Sequence, residues 1–131
     1  MFRHDYFALR HGQSEANVLG IIVSLPSNGI YGYGLSKLGQ TQVTASARSA
    51  IEMLSSYRQI LLIHSDFKRC VETASVFLQN LEEFLPKSCL MSMKPDSRLQ
   101  ERGFGEFELG PNTSYETVWQ LDKDSAHHTA F

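Results

Sequence analysis

Gln59-Ile60-Leu61-Leu62-Ile63 is a continuous apolar run that passes through His64-Ser65-Asp66 into a segment whose apolar residues return at helical spacing. An unbroken run of this length predicts a strand buried on both faces, as in a parallel sheet. Ser65 or Asp66 is suited to cap the helix that follows. That helix has Val71, Ala74, Phe77, Leu78 and Leu81 on its apolar face and Arg69 in its first turn. A strand leading directly into a helix is the repeating unit of an α/β fold.

The neighbouring segments extend this unit in both directions. From Gly39 onward, Val43, Ala47, Ala50, Ile51 and Leu54 share one helical face, which predicts a helix of about four turns. Gly20 to Gly34 mixes Pro26, Asn28-Gly29 and further glycines without a sustained period, and reads as a long loop over the site. Residues 5–9 are apolar and aromatic, and predict a first buried strand leading into Arg10-His11-Gly12. Downstream, Cys89 to Met93 is a third, weaker strand, Pro95-Asp96 opens a loop, and Tyr115 to Leu121 begins another helix. The order strand, helix, strand, helix, strand predicts a three-layer α/β fold around a mainly parallel central sheet, in one domain over residues 1–131. Ligands of such sheets bind beyond the strands' carboxyl ends. Arg10, His11 and Arg69 therefore converge on one crevice although 58 positions separate His11 from Arg69.

Composition limits what such a crevice can bind. Twelve basic and 14 acidic residues give a net charge of −2, mixed along the chain, so no sustained field favours a nucleic acid or a membrane surface. Apolar stretches are far below bilayer length and the N-terminus has Arg3, His4 and Asp5, so a cytoplasmic protein is expected. Cys70 and Cys89 lie outside any metal-ligand spacing and read as buried thiols. No metal or other cofactor is expected. His127-His128 reads as a solvent-exposed tail pair, and His4 as a surface residue.

A histidine and an arginine side by side at a strand exit suit nucleophilic attack on a phosphoryl group whose oxygens the guanidinium holds. Four blocks then carry a family resemblance. They are Arg10-His11-Gly12-Gln13-Ser14-Glu15-Ala16-Asn17, Leu35-Ser36-Lys37-Leu38-Gly39-Gln40-Thr41-Gln42, Ser65-Asp66-Phe67-Lys68-Arg69-Cys70-Val71-Glu72-Thr73-Ala74, and Leu99-Gln100-Glu101-Arg102-Gly103-Phe104-Gly105-Glu106-Phe107-Glu108. In this order they resemble the histidine phosphatase superfamily, the phosphoglycerate-mutase-like proteins.

The resemblance implies that His11 is the nucleophile, taking the phosphoryl group as a phosphohistidine. Arg10, Asn17 and Arg69 would bind the phosphoryl oxygens, and Glu101 would protonate the leaving oxygen. Arginine is better suited than lysine to that fork-like contact, and losing one should cost on the order of a hundredfold in rate. Gly12 would let the backbone approach the phosphate closely. The implied activity is a phosphomonoester phosphatase or mutase-like phosphoryl transfer on a small phosphorylated substrate. Read without the resemblance, Glu101 is a surface carboxylate paired with Arg102, and Arg69 a solvated charge poorly placed at a helix N-terminus. His64 precedes the arginine block and reads as structural.

The family pattern continues past Phe131 through a Gly-Glu-Ser element to a further strand with a second histidine. A fragment or shortened form is therefore expected, with an alternative role as a catalytically impaired phosphate-binding or interaction module. Nothing in the sequence names the ester or sets the oligomeric state.

Overall fold

The computed structural model describes residues 4–124. In chain order its elements are helices α1 (Glu15–Leu19), α2 (Pro26–Gly29) and α3 (Lys37–Leu54), strand β1 (Ile60–His64), helix α4 (Lys68–Phe84), strand β2 (Leu90–Pro95) and helix α5 (Ser114–Asp124). β1 and β2 form a parallel two-stranded sheet, with Leu62 opposite Met93 and His64 opposite Pro95. The α/β class with parallel pairing follows the sequence pattern, because α4 supplies the crossover that parallel strands require.

The helices form where the apolar period placed them. α3 is capped by Ser36, whose hydroxyl accepts from the Gly39 amide at 3.0 Å. α3 and α4 enclose the main core of Leu35, Val43, Ala47, Leu54, Phe77, Leu81 and Leu85, against which Ile60 of β1 packs. A second cluster joins Ile22, Phe104 and Val118, with Phe107 and Tyr115 against it. It ties the segment after α1 and the loop before α5 to α5 itself.

Three expectations are corrected. Residues 5–9 are exposed and form no strand, because an extended segment becomes one only when a neighbour completes its backbone hydrogen bonds. They are held instead at the chain's outer corner, where the Phe7 and Tyr57 rings meet edge-on at 5.8 Å and Tyr57 donates to Asp5 at 2.8 Å. Second, β1 is not buried on both faces. Ile60, Leu62 and His64 turn towards the core, whereas Leu61 and Ile63 remain 43% and 49% exposed. Third, neither Ser65 nor Asp66 caps α4, whose N-cap is Phe67 with no side-chain cap. Ser65 accepts from the Phe67 amide at 3.2 Å, while Asp66 takes the Gln100 side-chain amide at 2.8 Å. The predicted tail pair His127-His128 lies outside the described residues.

Candidate active site

The segment Arg10 to Ser14 is fastened from two sides. The Gly12 amide donates to Thr73 Oγ1 at 3.3 Å, and that hydroxyl donates to the Arg69 carbonyl at 2.7 Å, which ties the segment to α4. From the α3 side, the Ser36 amide donates to the Gln13 carbonyl at 2.9 Å and Gln42 Oε1 accepts from the Gln13 amide at 2.9 Å. A Cβ at Gly12 would stand 2.5 Å from the Gly39 carbonyl oxygen. The glycine there is explained by the approach of helix α3, a packing constraint that the expected phosphate contact does not require.

His11 is half-buried, and its Nδ1 lies 2.7 Å from the Gly12 carbonyl oxygen. A carbonyl can only accept, so Nδ1 carries the hydrogen and Nε2 of the neutral ring keeps its lone pair. Burial lowers the imidazole pKa from its ordinary 6.5. The positive charges of Arg69 and Arg10 lower it further, against the opposing pull of the Gly12 hydrogen bond and the Glu101 carboxylate.

Arg69 is 8% exposed. Its Nη1 donates to the Val23 carbonyl at 3.1 Å, and its guanidinium sits 4.9 Å over the Phe67 ring. Among the described residues no carboxylate forms an ion pair with Arg69 or with Arg10. A buried cation without a counter-charge is costly, and the charge of this one bears on His11.

A cleft of about 280 Å³ opens beside these groups, lined by Arg10, His11, Gln13, Asn17 and Gln42. The three side-chain amides are each held by the oxygen. Asn17 Oδ1 accepts from the Ser14 amide at 2.9 Å in a capping box that starts α1. Gln13 Oε1 accepts from Ser36 Oγ at 2.7 Å, and Gln42 Oε1 is used by the Gln13 amide. Their oxygens are therefore engaged by the protein, and their NH₂ groups are the ends left to meet a ligand. Together with Arg10 they make a donor-lined cleft. Gln13 and Gln42 were missed by sequence reasoning, because their contribution depends on which amide end the fold engages.

Arg69 and Glu101 both lie outside that cleft lining. The cleft therefore brings together Arg10, His11 and Asn17, and the expected convergence of Arg69 on the same crevice is not seen, although both charges reach His11. Glu101 is exposed. Its Oε1 accepts from the Arg102 amide at 3.2 Å, while the Arg102 guanidinium pairs with Asp122 at 3.0 Å. The predicted ion pair of Glu101 with Arg102 is thus replaced by one to α5. The loop carrying Glu101 is anchored by Glu108, whose carboxylate accepts from the Ser24 amide and hydroxyl, the Leu25 amide and the Asn28 side chain. Burial pushes the Glu108 pKa up, but the hydrogen bonds from Asn28, Ser24 and Leu25 outweigh it and hold the group below its ordinary 4.5. Ser24 also accepts from the Phe104 amide at 3.0 Å. Cys70 and Cys89 are free thiols and only half-buried. Among the described residues no cluster of histidines, cysteines and carboxylates could hold a metal ion, and no helix is long and apolar enough to cross a membrane.

The fold is similar to that of a solved hydrolase and of solved phosphatases. A structure described as mycobacterial hydrolase 1 superposes with a TM-score of 0.55 at 26% identity, over 89% of this chain and 45% of its own. Mycobacterial glucosyl-3-phosphoglycerate phosphatase in complex with VO3 gives 0.56 at 26% identity, over 88% of this chain and 44% of its own. A putative alpha-ribazole-5'-P phosphatase from Escherichia coli shares the fold at 20% identity, with a TM-score of 0.57 and 50% of its length covered. The chain thus spans about half the length of these structures or less. Among curated proteins no sequence matches this chain. The family model of the histidine phosphatase superfamily, branch 1, matches residues 6–129, and the chain belongs to that superfamily.

Proposed function

We propose that residues 1–131 form one domain carrying a phosphomonoester site, in which His11 attacks phosphorus through Nε2. The phosphoryl group passes to the imidazole as the ester oxygen leaves, and water or a second acceptor then discharges it. Release to water makes the protein a phosphatase, and release to a second hydroxyl a mutase-like phosphotransferase. Arg10, Arg69 and the Asn17 amide bind the phosphoryl oxygens, and Glu101 supplies the proton to the leaving oxygen. The observation that carries this reading is Arg69, a buried guanidinium with no carboxylate partner among the described residues, whose charge bears on His11. A phosphate supplies the missing counter-charge.

The test is release of the phenol from a generic aryl phosphate by the purified protein and by His11→Ala. Loss of release in His11→Ala is the expected result, and equal rates in both proteins would exclude chemistry at His11. A second reading, binding without turnover, draws support from the exposed position of Glu101 outside the donor-lined cleft. The two readings are separated by adding millimolar phosphate. If phosphate raises the melting temperature of the wild type but not of Arg69→Ala while no ester is cleaved, the site binds and does not turn over.

A further inference from the structure

Arg69 touches no carboxylate among the described residues, yet one stands a single peptide unit away. The Val23 carbonyl accepts from Arg69 Nη1 at 3.1 Å, and the Ser24 amide of the same peptide donates to Glu108 Oε2 at 2.8 Å. A trans peptide is planar and rigid, with its C=O and N–H pointing in opposite directions. The cation is therefore at the oxygen end of the peptide dipole and the anion at the hydrogen end, so each hydrogen bond strengthens the other. Val23 and Ser24 are both buried, which keeps the bridging peptide out of water.

The Glu108 end of this bridge is built from donors. Its carboxylate also accepts from Ser24 Oγ at 2.5 Å, the Leu25 amide at 3.1 Å and Asn28 Nδ2 at 2.9 Å. An ionised carboxylate only accepts, so Ser24 Oγ gives it its one hydrogen while accepting from the Phe104 amide at 3.0 Å. A glutamine at 108 would turn two hydrogens of its own towards these donors. The adjoining backbone is strained as well. Leu109 has a φ of +60°, a left-handed conformation uncommon outside glycine, and its amide is held by the Ile22 carbonyl at 2.8 Å. Strain of this kind persists where the surrounding contacts over-determine a position.

What the bridge fixes is a guanidinium whose charge bears on His11. Among the described residues, the bond to Val23 is the only hydrogen bond of the Arg69 side chain, beside its contact with the Phe67 ring. The guanidinium thus takes its place from one carbonyl, and that carbonyl takes its place from Glu108. We propose that Glu108 is a positioning residue of the phosphate site, holding the Arg69 guanidinium through the Val23–Ser24 peptide. The proposal rests on the reading of Arg69 as a phosphoryl-binding group.

The test is the titration midpoint of His11 in an NMR pH series without phosphate, for the wild type, Glu108→Gln, Arg69→Gln and the double variant. Freeing the guanidinium takes positive charge from His11, so Glu108→Gln should raise the midpoint, and should leave it unmoved in the Arg69→Gln background. Loss of the Glu108 charge acting directly would lower the midpoint instead, because a lost anion disfavours the imidazolium. Asn28→Ala breaks a hydrogen bond to the other carboxylate oxygen, away from the bridge, and should leave the midpoint where it is. A midpoint that falls or stays put in folded Glu108→Gln, that rises equally in the Arg69→Gln background, or that rises as much in Asn28→Ala would overturn the proposal. Should Glu108→Gln not fold, Glu108→Asp takes its place. It keeps the charge and shortens the arm by one methylene, so the midpoint should again rise, and an unmoved midpoint would overturn the proposal. Phosphate is added separately. Glu108→Gln should weaken its binding about two- to tenfold, the value of one net hydrogen bond. If millimolar phosphate leaves the melting temperature of the wild type unchanged, the phosphate site itself fails, while the His11 midpoints still decide whether Glu108 places Arg69.

Discussion

The nucleophilic role proposed for His11 rests on which of its two nitrogens carries hydrogen and on how readily the second one takes a proton. With Nδ1 committed to the Gly12 carbonyl, burial and two guanidinium charges disfavour protonation of Nε2. The His11 ring should titrate below 6.5 in an NMR pH series, and Arg10→Gln should move its midpoint upward by removing one of those charges. A midpoint unmoved in Arg10→Gln would detach Arg10 from the site. The sign for stability follows from linkage. A histidine whose folded pKa is depressed resists protonation in the native state, so its term destabilises the fold as pH falls through 6.5. Glu108 is a carboxylate with a depressed folded pKa. Its contribution is present above 4.5 and is lost as pH falls through the lower folded value. Glu108→Ala should lower stability by about 1–3 kcal/mol in urea melts at neutral pH, through donors left without an acceptor. A loss that is the same at pH 4 and pH 7 would separate it from the ionised form. That Arg10 and His11 share one cleft was legible in the sequence because they are adjacent in a short contiguous pattern. Glu108 was not, since its acceptor role depends on Ser24, Leu25 and Asn28, 80 to 84 positions away.

At the level of elements, α3 and the Arg10–Ser14 segment touch backbone to backbone through Gly12 and Gly39. Alanine in place of Gly39 gains helix propensity worth about 1 kcal/mol. It also drives a methyl group into the backbone of Gln13, where no flexible side chain can yield. Overpacking of this kind costs about 1–3 kcal/mol, so Gly39→Ala should be neutral to destabilising by denaturant unfolding and should weaken phosphate binding by shifting Gln13. A clear gain in stability would mean that the two backbones can separate freely. The long helices were readable because their apolar period is local to the chain. The first strand was misread because an apolar composition predicts burial, while strand formation also needs a partner edge that only tertiary structure supplies. The short helix α1 escaped notice for another reason: five residues give no period, and its start depends on the Ser14–Asn17 capping box.

Over the whole molecule, apolar burial is divided unequally. Among the described residues, the cluster between α3 and α4 gathers seven buried residues, and the cluster around α5 gathers three. Native-state hydrogen exchange should therefore be slowest in α3 and α4 and faster in α5, since local opening tracks apolar contact. Amides of α5 as slow as those of α4 would mean that the two clusters open as one unit. The two are coupled through Val23, which accepts from Arg69, and through Ser24 beside it, which holds Glu108. If phosphate binds at Arg69 as proposed, exchange should then slow in both. The leading segment behaves differently from either cluster. It is moored at Tyr57 near its start and at Thr73 near its end, and Ala8 to His11 span the interval like a cable between two pylons. The imidazole therefore takes its position from where the cable is tied, and slackening the distant mooring, by Tyr57→Ala for example, would displace it without touching a single group of the cleft.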